Sequence, residues 1–119
     1  MKKVLDVSQC LRDFCGRELR LAGEEGAATL QWALLAYCGA AGQMGLEPGE
    51  QMAAYEAGCL IGRGGRVALD QRLYDVMKKL ADCGQVYDPA QRERRDLFGN
   101  LVKSQVKLLV DAAQTEAGN

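Results

Sequence analysis

The feature that most constrains the fold is a run of twenty-one residues, 26–46, without a charged side chain. Its larger side chains, including Leu30, Trp32 and Tyr37, are separated mainly by alanines, glycines and two glutamines. In a chain this short, a segment that is apolar on all sides must be surrounded by the other elements. We therefore expect a central helix over residues 27–42.

Composition indicates a single globular domain over residues 1–119. The hydrophobic fraction is 48%, the charged fraction is 26%, and the net charge is −1. These values are ordinary for a globular protein, and they argue against general binding to nucleic acid or membranes. Charge is unevenly distributed, since residues 63–107 hold ten basic and six acidic side chains, whereas residues 27–62 hold three acidic and no basic ones.

Cysteine content and the start of the chain predict a cytoplasmic location. The cysteines are odd in number and contain no C-x-x-C pair, which favours reduced, buried thiols; they are Cys10, Cys15, Cys38, Cys59 and Cys83. Asp6, Arg12 and Asp13 interrupt any apolar run near the start, so no signal peptide is expected. Residues 26–46 are long enough to span a membrane, but their small and amide side chains favour a buried helix. No membrane partner is expected.

Helical periodicity predicts an all-α bundle of about five helices. The clearest helix covers residues 67–83, where apolar side chains recur at intervals of four and three residues, namely Leu69, Leu73, Val76, Leu80 and Cys83. Gly84 is the predicted stop. Pro48 starts a helix that Gly62 closes, with Met52, Tyr55 and Cys59 as its apolar edge.

The remaining predicted helices have weaker patterns. The first covers residues 6–21, with Val7, Leu11 and Phe14 on one side and Gly23 as its stop. The second is opened by Glu24 and Glu25. The fifth covers residues 88–113, because an aspartate followed by a proline is a frequent helix start.

A glycine-rich basic loop is the first candidate site, formed by Arg63, Gly64, Gly65 and Arg66. Because it precedes the fourth predicted helix, free N–H groups beside two arginines predict an anion site. The string I-G-R-G-G also resembles the glycine loop of KH nucleic-acid-binding domains over about ten residues. The resemblance implies a loop between two helices that approaches phosphates, with strands on either side of the pair. Here only residues 85–87 offer a later strand.

The fifth predicted helix extends this candidate. Lys103 and Lys107 share a face, because residues four apart are neighbours on a helix. Arg92, Arg94 and Arg95 lie on the same predicted helix, with Glu93 and Asp96 among them. A solvated, salt-bridged surface is one interpretation. Nucleic-acid binding is the other, and it requires the loop and this helix to share one side of the fold.

Catalytic chemistry finds little support in the sequence. The chain contains no histidine, which removes the most frequent general base and metal ligand. The cysteine spacing does not match a zinc site, and Glu47 and Glu50 are explained by helix initiation. We expect no enzyme, no metal site and no cofactor.

The sequence thus predicts a non-enzymatic interaction, adaptor or regulatory protein. Five short helices are too few to cover all of the predicted apolar helix faces. The uncovered faces predict association with a protein partner or with a second copy of the chain, as a homodimer. The alternative is a phosphate- or nucleic-acid-binding protein that uses Arg63, Gly64, Gly65 and Arg66 with Lys103 and Lys107. A sensor of apolar ligands is a further alternative.

Overall fold

The computed structural model describes residues 2–20 and 26–115. These residues form four α-helices, a short 3₁₀ helix and five β-strands: β1 (Lys2–Asp6), α1 (Leu30–Gly39), the 3₁₀ helix Ala41–Met44, α2 (Pro48–Ile61), β2 (Arg66–Asp70), α3 (Gln71–Cys83), β3 (Gln85–Asp88), β4 (Glu93–Asp96), α4 (Asn100–Asp111) and β5 (Gln114–Thr115). The prediction of an all-α bundle is therefore wrong. The fold is mixed α and β, with two antiparallel sheets in the described residues.

The larger sheet has the strand order β2-β1-β5. Leu5 of β1 lies opposite Val67 of β2, and both are buried, as is Leu69 two residues further along. Residues two apart on a strand share a face, so this alternation places one side of the sheet on the core. The sequence interpretation missed β2 because Leu69 and Leu73 are also spaced as on a helix.

The first predicted helix is wrong as well. Leu5 and Val7 are both buried, which is the two-residue period of an extended chain, and Gly16 has a φ of 85° that ends any right-handed helix. Residues 7–20 instead form turns and isolated bridges. Leu11 donates its N–H to Ala28 O at 2.8 Å. The predicted helix boundaries at Gly23, Glu24 and Glu25 lie outside the described residues.

Helix α1 is the central helix, although it is shorter than predicted. It begins after Thr29, whose Oγ1 accepts a hydrogen bond from Trp32 N at 3.3 Å. Leu30, Leu34 and Tyr37 are completely buried, and α1 packs against each of the other three helices. The uncharged segment therefore contributes much of the core, but it is not surrounded on all sides, because Leu35 of α1 is 37% exposed.

Helix α2 begins and ends where predicted, and helix α3 ends where predicted. Pro48 occupies the first turn of α2, where Glu47 and Glu50 form a capping box. Helix α3 ends before Gly84, which adopts the left-handed conformation with a φ of 61°. The start of α3 lies later than predicted, because the Asp70 carboxylate accepts the Leu73 N–H and caps the helix there.

The fifth predicted helix is half wrong, because residues 85–96 form the β3–β4 hairpin and α4 begins only at Asn100. Asp88 does cap, but it caps a turn: its Oδ1 accepts the N–H of Ala90 at 3.0 Å. Arg92 then has a φ of 55°, which a continuing helix does not allow. The prediction failed because an aspartate–proline pair starts turns as readily as helices.

Helix α3 lies between α2 and α4 and packs against both. Among the described residues, no helix is both long and apolar enough to cross a membrane.

Candidate functional site

The loop of Arg63, Gly64, Gly65 and Arg66 joins α2 to β2. Gly64 and Gly65 have φ values of 78° and 70°, a conformation that glycine adopts without strain. Gly64 donates its N–H to Ile61 O at 3.0 Å, and Gly65 O accepts the Val7 N–H at 2.9 Å. These bonds end α2 and fix the loop against the segment that follows β1.

The loop does not stand at a helix N-terminus, contrary to the prediction, and anion binding by its own residues stays a prediction. The loop leads into a strand, and α3 begins five residues after Arg66, behind the acidic cap Asp70. A KH-type loop would join two helices, so the resemblance does not extend to the fold. Arg66 lies opposite Asp6 in the β1–β2 register. Hydrogen bonds from Ser8 and, to a smaller extent, the charge of Arg66 lower the pKa of Asp6.

Lys103 and Lys107 are both held in ion pairs. Lys103 Nζ lies 2.9 Å from Asp96 Oδ1, and Lys107 Nζ lies 2.6 Å from Asp82 Oδ1 and 3.2 Å from Asp111 Oδ2. The hydrogen bonds with Asp82 and Asp111 raise the pKa of Lys107. These lysines are thus engaged within the chain, as the salt-bridged interpretation predicts.

The loop and the lysines lie on different sides of α4. Arg66 lines a groove of about 310 Å³ that also contains Leu109. Successive residues of an α-helix are rotated by about 100°, so Leu109 lies roughly 160° around α4 from Lys107. Arg66 and Lys107 therefore lie on different sides of α4, and nucleic-acid binding by the loop together with the lysines stays a prediction. Binding of phosphate by the loop alone stays a prediction.

The outer side of α2 is apolar and exposed. Met52 and Tyr55 have 61% and 66% of their surface accessible, and Cys59 is exposed one turn further along. The sequence interpretation placed these residues on an apolar edge and expected Cys59 to be buried. We call Met52, Tyr55 and Cys59 the α2 face.

A groove of about 420 Å³ lies beside the α2 face, lined by Cys38, Gly39, Tyr55, Gly58 and Cys59. Small residues on both helices form it, and a Cβ added at Gly39 would find open space within 4 Å. A hydrogen bond with Cys59 raises the pKa of Tyr55. Burial raises the pKa of Cys38 to about 12, so this thiol is neutral at physiological pH.

The turn of residues 13–17 presents the most exposed large apolar side chain among the described residues. Phe14 is 85% accessible. The Asp13 carboxylate accepts the N–H groups of Cys15 and Arg17 at 2.8 and 3.0 Å, and Asp13 O accepts the Gly16 N–H. Phe14 therefore stands on a turn held by a network of hydrogen bonds.

Helix α4 contributes a second groove beside this turn, about 330 Å³ in volume, whose lining includes Phe14, Leu101, Ser104 and Leu108. Leu108 is 67% exposed. Gln105 fixes the turn to the helix, because its side-chain amide donates to Arg12 O and its Oε1 accepts the Arg12 N–H, both at 2.7 Å. We call Phe14, Leu101 and Leu108 the α4 patch.

The sequence interpretation missed the α4 patch as a surface. It assigned Phe14 to the buried side of a helix that does not form. A usable signal was present, since Asp13-Phe14-Cys15-Gly16 places an aspartate and a glycine at the ends of four residues, which is typical of a tight turn.

The exposure of the cysteines differs in part from the prediction. The five thiols are free, but Cys15 and Cys59 are exposed, so the prediction of burial is wrong for these two. No group of three or more His, Cys, Asp or Glu side chains within residues 2–20 and 26–115 is arranged to hold a metal ion.

No known protein family, curated protein or solved structure matches the chain. Any proposal about function therefore rests on the fold and on its two exposed apolar surfaces.

Proposed function

We propose that this is a non-enzymatic interaction protein that associates with further copies of itself, and that the α2 face is one half of the contact. The observation that carries the proposal is the exposure of Met52 and Tyr55 on a regular helix. Contiguous exposed apolar side chains on a soluble domain mark interaction surfaces. The proposal requires neither a metal nor a cofactor.

The geometry of the α2 face supports a specific contact. Met52, Tyr55 and Cys59 are spaced by three and four residues, which keeps them on one side of α2. Tyrosine and methionine are enriched at interfaces, where large side chains fill recesses of the partner. The adjoining groove supplies a recess for side chains from the other molecule.

Charge does not oppose a second copy as the occupant. The only charged residues within 27–62 are Glu47, Glu50 and Glu56. Glu50 and Glu56 are paired with Lys79 and Arg72 of the same chain, so little unpaired charge on α2 would repel another copy. A net charge of −1 opposes the approach of two copies only weakly.

The experiment compares the molar mass of the unmodified protein with that of a Met52→Ser/Tyr55→Ser variant by size exclusion with light scattering. We expect the unmodified protein to exceed the monomer mass of 12.9 kDa at high concentration and the variant to elute as a monomer. The variant should stay folded, because both side chains are exposed.

The matched control is Tyr87→Ser, because Tyr87 is another exposed aromatic residue, 46% accessible on β3 and outside both apolar surfaces. Its molar mass should equal that of the unmodified protein. A monomeric unmodified protein at all concentrations contradicts the proposal, as does association that the double substitution leaves unchanged.

A further inference from the structure

We infer that Cys38, Cys59 and Met77 form a binding site for a soft monovalent metal ion, Cu(I). The three sulfur atoms come from three different helices, α1, α2 and α3. The inference is independent of the proposed self-association, because it concerns side chains of a single chain. It departs from the expectation of no metal site, which considered histidine and the spacing of zinc ligands but not methionine.

The first argument is a direct contact between two sulfur atoms. Cys38 Sγ lies 3.4 Å from Met77 Sδ, and the thiol donates a weak hydrogen bond to the thioether. Metal–thiolate bonds are about 2.3 Å long in zinc sites, so ligand sulfurs around a three-coordinate ion of similar bond length stand about 4 Å apart. A shift of about 0.6 Å therefore lets one ion bind both atoms, and the unbranched methionine side chain adapts readily.

The second argument is that Cys59 adds a thiol beside Cys38. Both residues line the groove of about 420 Å³ at the contact between α1 and α2. The two helices approach closely here, since a Cβ added at Gly58 would lie 3.4 Å from Cys38 Cβ and 3.6 Å from Cys38 Sγ. Glycine at position 58 thus allows the residue before Cys59 to touch Cys38, which brings both thiols to the same groove.

The third argument is the chemistry of the donors. Among the described residues, the groove is lined by two cysteines, two glycines and Tyr55, with no carboxylate. Mg²⁺ and Ca²⁺ prefer carboxylate and carbonyl oxygens, and structural zinc takes four ligands from cysteine, histidine and carboxylates. Thiolate together with thioether selects Cu(I). The donor set therefore indicates a soft ion.

The fourth argument is access. Cys59 is exposed, Cys38 is half-buried and Met77 is completely buried, so an ion meets the exposed thiol first and then the two inner sulfurs. Each thiol that binds exchanges its S–H bond for a sulfur–copper bond and releases its proton to the buffer. The thioether binds through a lone pair, and the copper stays in the +1 state.

The experiment is an anaerobic titration with Cu(I) against a competing Cu(I) chelator, at a concentration where the protein is monomeric. We expect one tightly bound ion per chain and no retention of Zn²⁺ at the same concentration. Cys59→Ser should weaken binding by more than the roughly 100-fold that loss of an outer-shell partner costs, because it removes a ligand. The matched control is Cys15→Ser, another exposed cysteine outside the groove, whose affinity should equal that of the unmodified protein.

Met77→Leu tests the thioether separately. Leucine and methionine have similar volumes, so the buried position should stay filled and the variant should stay folded, which circular dichroism checks. We expect affinity to fall by about 10-fold, in the range for groups that tune a metal site. X-ray absorption should count three sulfur neighbours around the copper in the unmodified protein and two in this variant, a change that a purely structural role would not produce.

Other outcomes overturn the inference. If Cys15→Ser weakens binding as much as Cys59→Ser does, exposed thiols hold copper in general and the groove is not a site. If Met77→Leu keeps three sulfur neighbours, the thioether is not a ligand. Retention of Zn²⁺ as tight as that of Cu(I) contradicts the assignment to a soft ion. None of these results bears on self-association, which the molar mass of Met52→Ser/Tyr55→Ser tests separately.

Discussion

Two helix surfaces of this molecule differ in whether their side chains find partners within the same chain. Between α3 and α4, Lys78 and Lys107 alternate with Asp82 and Asp111, with Nζ–Oδ distances from 2.6 to 4.0 Å. On the outer side of α2, by contrast, Met52 and Tyr55 remain uncovered. The charged side chains of the first surface have partners within one chain, whereas the apolar side chains of the second surface do not. We therefore propose a function for the uncovered apolar surface and not for the cluster of ion pairs.

The largest expected change in the free energy of unfolding distinguishes a buried leucine from an exposed one. Leu80 of α3 is completely buried, and Leu108 of α4 is 67% exposed. Leu80→Ala should lower the free energy of unfolding by about 3 kcal/mol, because it removes buried methyl groups and leaves a cavity. Leu108→Ala should change it by less than about 0.5 kcal/mol. Urea unfolding at a concentration where the protein is monomeric checks both values, and equal effects would remove the distinction.

Smaller changes in stability, opposite in sign, are expected when the hydroxyl groups of two buried tyrosines are removed. Tyr37 Oη is buried without a hydrogen-bond partner in the part of the chain that the structure describes, and burial raises its pKa to about 12. Tyr74 Oη donates to Val110 O at 2.9 Å. Tyr37→Phe should therefore stabilise the fold by about 1 kcal/mol, and Tyr74→Phe should destabilise it by a similar amount. Thermal unfolding of the two variants checks the prediction, which fails if both shift in the same direction.

The smallest effect concerns the pH dependence of stability that the ion pairs of Asp111 and Asp96 produce. Hydrogen bonds from Lys78 and Lys107 lower the pKa of Asp111, and a bond from Lys103 lowers that of Asp96. Because both carboxyls bind protons more weakly when folded, their contribution is present above the unfolded pKa of about 4 and is lost as the pH falls through the lower folded value. Stability should decline below about pH 4, more gently for Asp111→Asn. Urea midpoints across pH 3–7 measure both slopes, and parallel slopes would contradict this role for Asp111.

The sequence predicts those parts of the fold in which local signals and burial agree. The uncharged segment identifies the central helix, and Pro48, Gly62 and Gly84 mark helix ends correctly. Helical spacing alone misleads where a strand runs directly into a helix, as at Leu69 and Leu73. Only the pairing of β1 with β2, which joins residues sixty or more positions apart, distinguishes the two.

The candidate site is less predictable, because it depends on which apolar side chains the fold leaves uncovered. The apolar edge of α2 is visible in the sequence, but its exposure is not. Phe14 becomes a surface residue only because Gly16 and the Asp13 carboxylate bend the chain away from a helix. The sequence shows that Lys103 and Lys107 share a helix face, but only the three-dimensional structure shows their acidic partners on other elements.

A dilution series of the unmodified protein in sedimentation velocity tests the central claim most directly. The account predicts a weight-average mass that rises above 12.9 kDa with concentration, because the exposed α2 face is proposed to contact another copy. A mass that stays at 12.9 kDa throughout the series would contradict it.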